Sequence, residues 1–94
     1  MQFEFKVGTQ EPHQVHFSFN QVNGDLKILV DGQPVVEDLR LLSISLMKRY
    51  EFNVGVQEPH TVRIEKQRKL LLAGFRKQNY RVFVDGKLIQ SYEG

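Results

Sequence analysis

The chain has no cysteine. Disulfides, thiolate metal centres and a cysteine nucleophile are therefore excluded, and the core has to hold by packing alone. Long hydrophobic runs are also missing. The apolar stretches are a few residues each, far short of the ~20 that a membrane-spanning helix needs. The opening residues, Met1-Gln2-Phe3-Glu4-Phe5-Lys6, contain no basic segment followed by an apolar one, so no secretory signal is expected. No Gly-x-Ser-x-Gly elbow, phosphate-binding glycine loop or His-Glu-x-x-His motif occurs. These absences make an enzyme the least expected class. The expectation is a cytoplasmic protein with no cofactor, in which residues 1–94 form one small domain.

What the chain does have is a repeat. Residues 3–13, FEFKVGTQEPH, return as residues 50–60, YEFNVGVQEPH, with eight of eleven positions identical at an offset of 47. A weaker echo pairs Lys27-Ile28-Leu29-Val30-Asp31-Gly32 with Arg81-Val82-Phe83-Val84-Asp85-Gly86. The chain therefore reads as two copies of one unit, approximately 2–47 and 49–94. Each copy is too short to bury much surface alone, so a shared core is expected.

Apolar residues alternate rather than recur at helical spacing. Phe3, Phe5 and Val7 fall on one face of a strand, with Gln2, Glu4 and Lys6 on the other. Val15, Phe17 and Phe19 alternate with Gln14, His16 and Ser18; Tyr50, Phe52 and Val54 follow the same rule in the second copy. Asn23-Gly24, Asp31-Gly32 and Asp85-Gly86 carry tight-turn chemistry. Val35–Leu46 reads as one further strand, irregular near Glu37-Asp38. The fold expected is all-β: an eight-stranded antiparallel sandwich of two four-stranded sheets, built by internal duplication. Its centre is expected to hold Phe3, Phe5, Val15, Phe17, Tyr50, Phe52, Val62 and Ile64.

Gly-x-Gln-Glu-Pro-His, at 8–13 and 55–60, has two readings. Both Glu and both His side chains could form a paired site, or each segment is a β-turn opening the next strand. His13 and His16 lie three apart, on opposite faces of a strand, and with His60 they offer no converging fourth ligand; no metal site is expected.

The copies differ in charge and in one connection. Residues 1–47 carry a net −3 and residues 48–94 a net +5. His13 and Asp31 are 18 positions apart, His60 and Asp85 are 25, and the extra seven fall between the second and third strands of copy two. Between Arg63 and Arg81, seven basic residues face one acidic residue around Leu70-Leu71-Leu72-Ala73-Gly74-Phe75. This hairpin, 66–77, is the candidate partner-binding site, through Lys66, Arg68, Lys69, Leu70, Leu71, Leu72, Phe75, Arg76 and Lys77. A protein partner is the expected ligand. The alternative is nucleic acid or an anionic surface, with Phe75 and Tyr80 interleaved among the cations. The structural alternative folds Leu70–Leu72 back over the end of the sandwich.

The order of landmarks resembles a known family. His-Gln-Val-His-Phe, an Asn-Gly turn, Ile-Leu-Val-Asp-Gly-Gln and Arg-Tyr-Glu-Phe-Asn-Val-Gly are followed by Thr-Val-Arg-Ile, Gly74-Phe75 and Tyr-Arg-Val-Phe-Val-Asp-Gly-Lys. This set is similar to a domain of the Fas apoptotic inhibitory molecule (FAIM) family and covers nearly the whole chain. The resemblance implies an eight-stranded sandwich of two antiparallel sheets and a non-enzymatic interaction protein. Animal members of that family act in protection from death-receptor signalling and in handling aggregated protein. The chain departs from the pattern in having one domain, Leu41-Leu42 where a tryptophan is expected, and a longer hairpin at Leu70–Phe75. The implied fold carries over; the death-receptor role does not.

Overall fold

The computed structural model describes residues 1–44, 46–68 and 78–94. They form nine strands: β1 (Gln2–Val7), β2 (His13–Phe19), β3 (Leu26–Val30), β4 (Gln33–Pro34), β5 (Arg40–Ile44), β6 (Met47–Val54), β7 (His60–Arg68), β8 (Gln78–Val84) and β9 (Lys87–Glu93). There is no helix among the described residues. The strands make two antiparallel sheets, one ordered β1-β2-β3-β4 and the other β5-β6-β7-β8-β9.

The all-β reading holds, with one correction to the strand count. Val35–Leu46 is not one strand. The chain pairs briefly as β4, bends at Glu37-Asp38, and resumes as β5 in the other sheet. Pairing with β3 extends past Pro34 to the Val35 N–H, which donates to the Ile28 carbonyl at 2.9 Å, and ends before Glu37-Asp38, residues of low strand preference. The result is nine strands in sheets of four and five, not eight in sheets of four.

By contacts the chain divides into two compact units. The first comprises Met1–Asp38 with Asn53–His60. In it Phe3 pairs with Phe17 and Phe5 with Val15 across β1 and β2. The Phe3 and Phe17 rings stack with centroids 4.8 Å apart. Phe3, Phe5, Val7, Val15, Phe17, Phe19, Ile28 and Val54 are all buried. Burying each large apolar side chain contributes about 1.5–3 kcal/mol. The opposite face of β1 and β2 is polar: Glu4 accepts hydrogen bonds from Gln14 at 3.1 Å and from His16 at 2.9 Å.

The second unit comprises Leu39–Phe52 with Thr61–Gly94. Among the described residues its buried apolar side chains are Tyr50 and Phe52 on β6, Val62 and Ile64 on β7, and Tyr80 and Val82 on β8. All eight centre residues expected from the alternation are thus buried, divided between the two units. The other face of the second sheet is charged. Arg40 donates to Glu51 at 2.8 Å, and buried Glu65 is met by Arg49, Arg63 and Arg81 at 3.4, 3.4 and 3.3 Å. Arg63 also lies over the Phe83 ring, 4.3 Å from its centroid.

Hairpin turns follow the sequence chemistry. Asp31-Gly32 joins β3 to β4 and Asp85-Gly86 joins β8 to β9, with near-identical positive φ at both residues (51° and 80°; 52° and 81°).

Candidate functional site

The Gly-x-Gln-Glu-Pro-His segments are the loops that follow β1 and β6, and both lie in the first unit. Each presents three successive backbone N–H groups, a concavity suited to an anion. The anion is the other loop's glutamate. Glu11 accepts from the N–H of Val56 (2.9 Å), Gln57 (2.6 Å) and Glu58 (3.0 Å). Glu58 accepts from the N–H of Thr9 (3.0 Å), Gln10 (2.7 Å) and Glu11 (3.2 Å). The tight bend comes from Gly8 and Gly55, at φ 95° and 99°. A Cβ at either would collide with the carbonyl oxygen of the loop's own glutamate.

Histidines complete the arrangement. His60 bonds Glu58 through Nε2. His13 bridges two carboxylates, Nε2 to Glu11 and Nδ1 to Asp31. Asp31 also accepts from the N–H of Gln14 at 2.8 Å, and Asp85 from that of Thr61 at 2.9 Å. The bond from His13, then those from Val56, Glu58 and Gln57, hold the Glu11 carboxyl down at about 2. His60, then the amides of Gln10 and Thr9, do the same for Glu58, also to about 2. Asp31, followed by Glu11, shifts His13 upward, so the protonated ring that can donate from both nitrogens is favoured. Both open readings of the motif are partly met. The segments are turns, and their Glu and His side chains do come together, in bonds that fasten one loop to the other. Among the described residues, no group of three or more His, Asp or Glu side chains is placed to hold a metal ion.

Of the candidate hairpin residues, the described ones are Lys66 and Arg68. Lys69, Leu70, Leu71, Leu72, Phe75, Arg76 and Lys77 lie outside the described residues. The arms are regular: Lys66 pairs with Tyr80 and Arg68 with Gln78. Lys66 is only 5% exposed. It shares strand parity with Val62 and Ile64, so it points to the buried face of β7. Tyr80 is fully buried and cannot stack on a base, contrary to its expected place among the nucleic-acid contacts. Its hydroxyl donates to the buried Gln78 side chain at 3.3 Å. Burial, and secondarily Tyr50, pushes the Tyr80 phenol up to about 12.

Beside Lys66 a cavity of about 250 Å³ is lined, among the described residues, by Leu46, Lys48, Lys66 and Arg68. Two of these lining residues are joined through the backbone, the Arg68 N–H donating to the Leu46 carbonyl at 2.9 Å. Burial, then the charges of Lys48 and Arg68, lower the Lys66 ammonium to about 8.

Sequence reasoning read β5 as part of the strand Val35–Leu46 and passed over it as a binding surface. It is an edge of its sheet, pairing only with β6 among the described residues, and all five of its residues are exposed. Leu41 is 59%, Leu42 43% and Ile44 52% exposed, and Leu46 beyond it 41%. The signal was present as Leu41-Leu42-x-Ile44-x-Leu46, apolar at both parities, which one buried face cannot absorb.

No family model, curated protein or solved structure matches the chain. Among the described residues, no helix is long and apolar enough to cross a membrane.

Proposed function

We propose that the chain is a non-enzymatic interaction module of FAIM type, built by duplication of one β unit as a sandwich. It binds an extended acidic segment of a protein partner along β5 and the basic hairpin 66–77. The observation that carries this reading is β5, an exposed edge strand with apolar side chains on both faces, Leu41 on one and Leu42 and Ile44 on the other. An edge of this kind offers unpaired backbone groups to an added strand, and natural proteins ordinarily blunt such edges. Charge selects the partner's sign: residues 48–94 carry a net +5, and Lys48 and Arg68 lie at the Leu46 end of β5. Duplication is supported by the matched turns at Asp31-Gly32 and Asp85-Gly86 and by the reciprocal Glu11 and Glu58 bonds. The non-enzymatic reading is supported by the histidines: the rings of His13 and His60 are held by carboxylates that fasten the loops.

The test uses a fluorescein-labelled peptide of alternating Glu and Val, its Lys-Val counterpart, and a single-stranded oligonucleotide, followed by fluorescence anisotropy. The expected result is binding of the Glu-Val peptide, weakened on the order of tenfold by Leu42→Lys with Ile44→Lys. Equal binding of the Lys-Val peptide, or no binding of either, overturns the reading. Binding of the oligonucleotide alone would replace it with the nucleic-acid alternative.

A further inference from the structure

The charged face of the second sheet gathers more cations than it has anions to hold. Arg49 on β6, Arg63 on β7 and Arg81 on β8 converge on one carboxylate, that of buried Glu65. Every Asp and Glu of the chain lies among the described residues, and Glu65 is the one these three arginines reach. Arg40 and Glu51 pair separately at 2.8 Å. The three contacts to Glu65 are 3.3–3.4 Å long, beyond the about 2.7–2.9 Å of a charge-assisted bond. The buried Nε of Arg49 and that of Arg63 make no hydrogen bond among the described residues. Three guanidiniums offer about fifteen N–H donors, and one carboxylate about four acceptor positions. Glu65 therefore assembles the arginines and leaves donors over. Beside them, Arg81 lines a cavity of about 380 Å³ with Gln67, Asn79, Ser91, Tyr92 and Glu93. Strand register sets Arg81 between Glu65 and Ser91, and Asn79 between Gln67 and Glu93.

We propose that this arginine cluster, with the cavity beside Arg81, recognises a phosphorylated side chain of a protein partner. Charge selects the ligand. Three positive charges against one negative leave +2 at the cluster. A phosphomonoester carries about −1.5 to −2 near pH 7 and presents three acceptor oxygens, one for each guanidinium. A carboxylate carries half that charge and two oxygens. The planar fork of arginine suits the phosphoryl group better than a point charge would, and an arginine cluster is a recurring way to read phosphorylated segments. The Arg63 guanidinium is further oriented by the Phe83 ring, 4.3 Å from its centroid. In the cavity, the amides of Gln67 and Asn79 and the Ser91 hydroxyl both donate and accept, as the backbone of a bound segment requires. Glu93 lines the same cavity, so a basic residue next to the phosphorylated one is preferred. The site uses the face of β6, β7 and β8 rather than the backbone edge of β5, and it stands whether or not β5 docks a strand.

Fluorescence anisotropy on the full chain at constant ionic strength tests the site. Three labelled peptides differ at one position, which is phosphoserine, glutamate or serine, each beside an arginine. The expected order is phosphoserine tightest, glutamate on the order of tenfold weaker, and serine weaker still. In NMR the phosphoserine peptide is expected to shift the Nε–H signals of Arg49, Arg63 and Arg81 saturably. Arg49→Ala and Arg81→Ala each remove a side chain that reaches solvent and leave Glu65 two partners, so both are expected to fold. Each is expected to weaken phosphoserine binding on the order of tenfold, the loss of one charge-assisted contact. Inorganic phosphate serves as competitor. Displacement only at concentrations far above those of unlabelled phosphopeptide supports a phosphorylated chain as the ligand; displacement at equal concentration assigns the site to free phosphate and overturns the protein source. Equal binding of the three peptides, binding of none, or phosphoserine binding unchanged in both arginine variants overturns the proposal.

Discussion

Glu11 and Glu58 each occupy the other's loop. The carboxylate of Glu11 takes three backbone N–H groups from Val56 to Glu58, and that of Glu58 takes three from Thr9 to Glu11. Each residue is therefore both clasp and catch: its side chain closes the partner loop while its own amide closes on the partner's side chain. A turn alone would require Gly8 and Gly55; the exchange explains why Glu and His repeat with them.

This exchange makes stability fall in acid. Both carboxyls are held at about 2, against an ordinary value of 4.5. A lowered folded value means that the contribution is fully present above 4.5 and is lost as pH falls through about 2. His13 has the opposite sign. Raised above its ordinary 6.5, it contributes fully below 6.5 and loses that contribution as pH rises through its folded value. The clasp is therefore strongest between about 4.5 and 6.5. Urea midpoints measured from pH 2 to 8 are expected to peak in that window. Glu11→Gln with Glu58→Gln is expected to lower the peak and remove most of the acid slope, converging on the unsubstituted protein near pH 2. An acid slope unchanged by the double substitution would show that other carboxylates set it.

Gly8→Ala and Gly55→Ala are expected to destabilise by at least about 1–2 kcal/mol each, the usual cost of forcing a Cβ into left-handed backbone. The collision with the Glu11 or Glu58 carbonyl adds to this, because that residue cannot move without loosening its carboxylate. Gly24→Ala is the control: at φ 76° its Cβ would meet nothing within 4 Å, so only the backbone cost applies. Chemical denaturation that ranks Gly24→Ala as the worst of the three would contradict the clasp.

Much of the fold was legible because strand parity is a local property. Phe3, Phe5 and Val7, or Tyr50, Phe52 and Val54, declare their face without knowledge of their neighbours. The Asp31-Gly32 and Asp85-Gly86 turns are equally local. The break at Glu37-Asp38 was visible as an irregularity, but its consequence was not: whether the chain rejoins its own sheet or enters the other depends on long-range pairing. The Glu11 and Glu58 exchange needs two loops 47 residues apart to meet, so spacing alone could not show it. Lys66 is a different case. Counting parity from Val62 and Ile64 places it on the buried face, yet its membership of a basic run suggested a solvated side chain. The charge pattern obscured what the register stated.

Glu65 is expected to matter more than any one arginine around it. Its side chain is 8% exposed, whereas those of Arg49, Arg63 and Arg81 are 32%, 28% and 45% exposed. Removing the shared acid leaves three cations converging on a gap; removing one arginine leaves two partners in place. Glu65→Ala is expected to cost roughly 2–3 kcal/mol, below the 3–5 typical of fully buried pairs because the arginines reach solvent. Arg81→Ala is expected to cost about 0–1 kcal/mol. High salt should reduce the Glu65→Ala deficit by screening the unpaired cations. Equal losses for Glu65→Ala and Arg81→Ala in urea unfolding would refute this asymmetry.

The second sheet should separate stability from recognition by residue. Phe52 is fully buried, and Phe52→Ala is expected to cost about 3–5 kcal/mol, since lost transfer energy and a cavity act together. That is a large part of the ~5–15 kcal/mol available to a domain. Leu42 and Ile44 belong to the same sheet but remain 43% and 52% exposed on its edge. Leu42→Lys and Ile44→Lys are each expected to change stability by no more than about 0.5 kcal/mol. They should nonetheless oppose strand addition, because an edge lysine must be desolvated before another strand can pair there. Thermal melting beside titration with the Glu-Val peptide resolves the two effects: the lysine variants should melt with the unsubstituted protein and bind the peptide less tightly. If they instead lose stability as Phe52→Ala does, β5 is covered in solution, and its leucines belong to the core rather than to a partner.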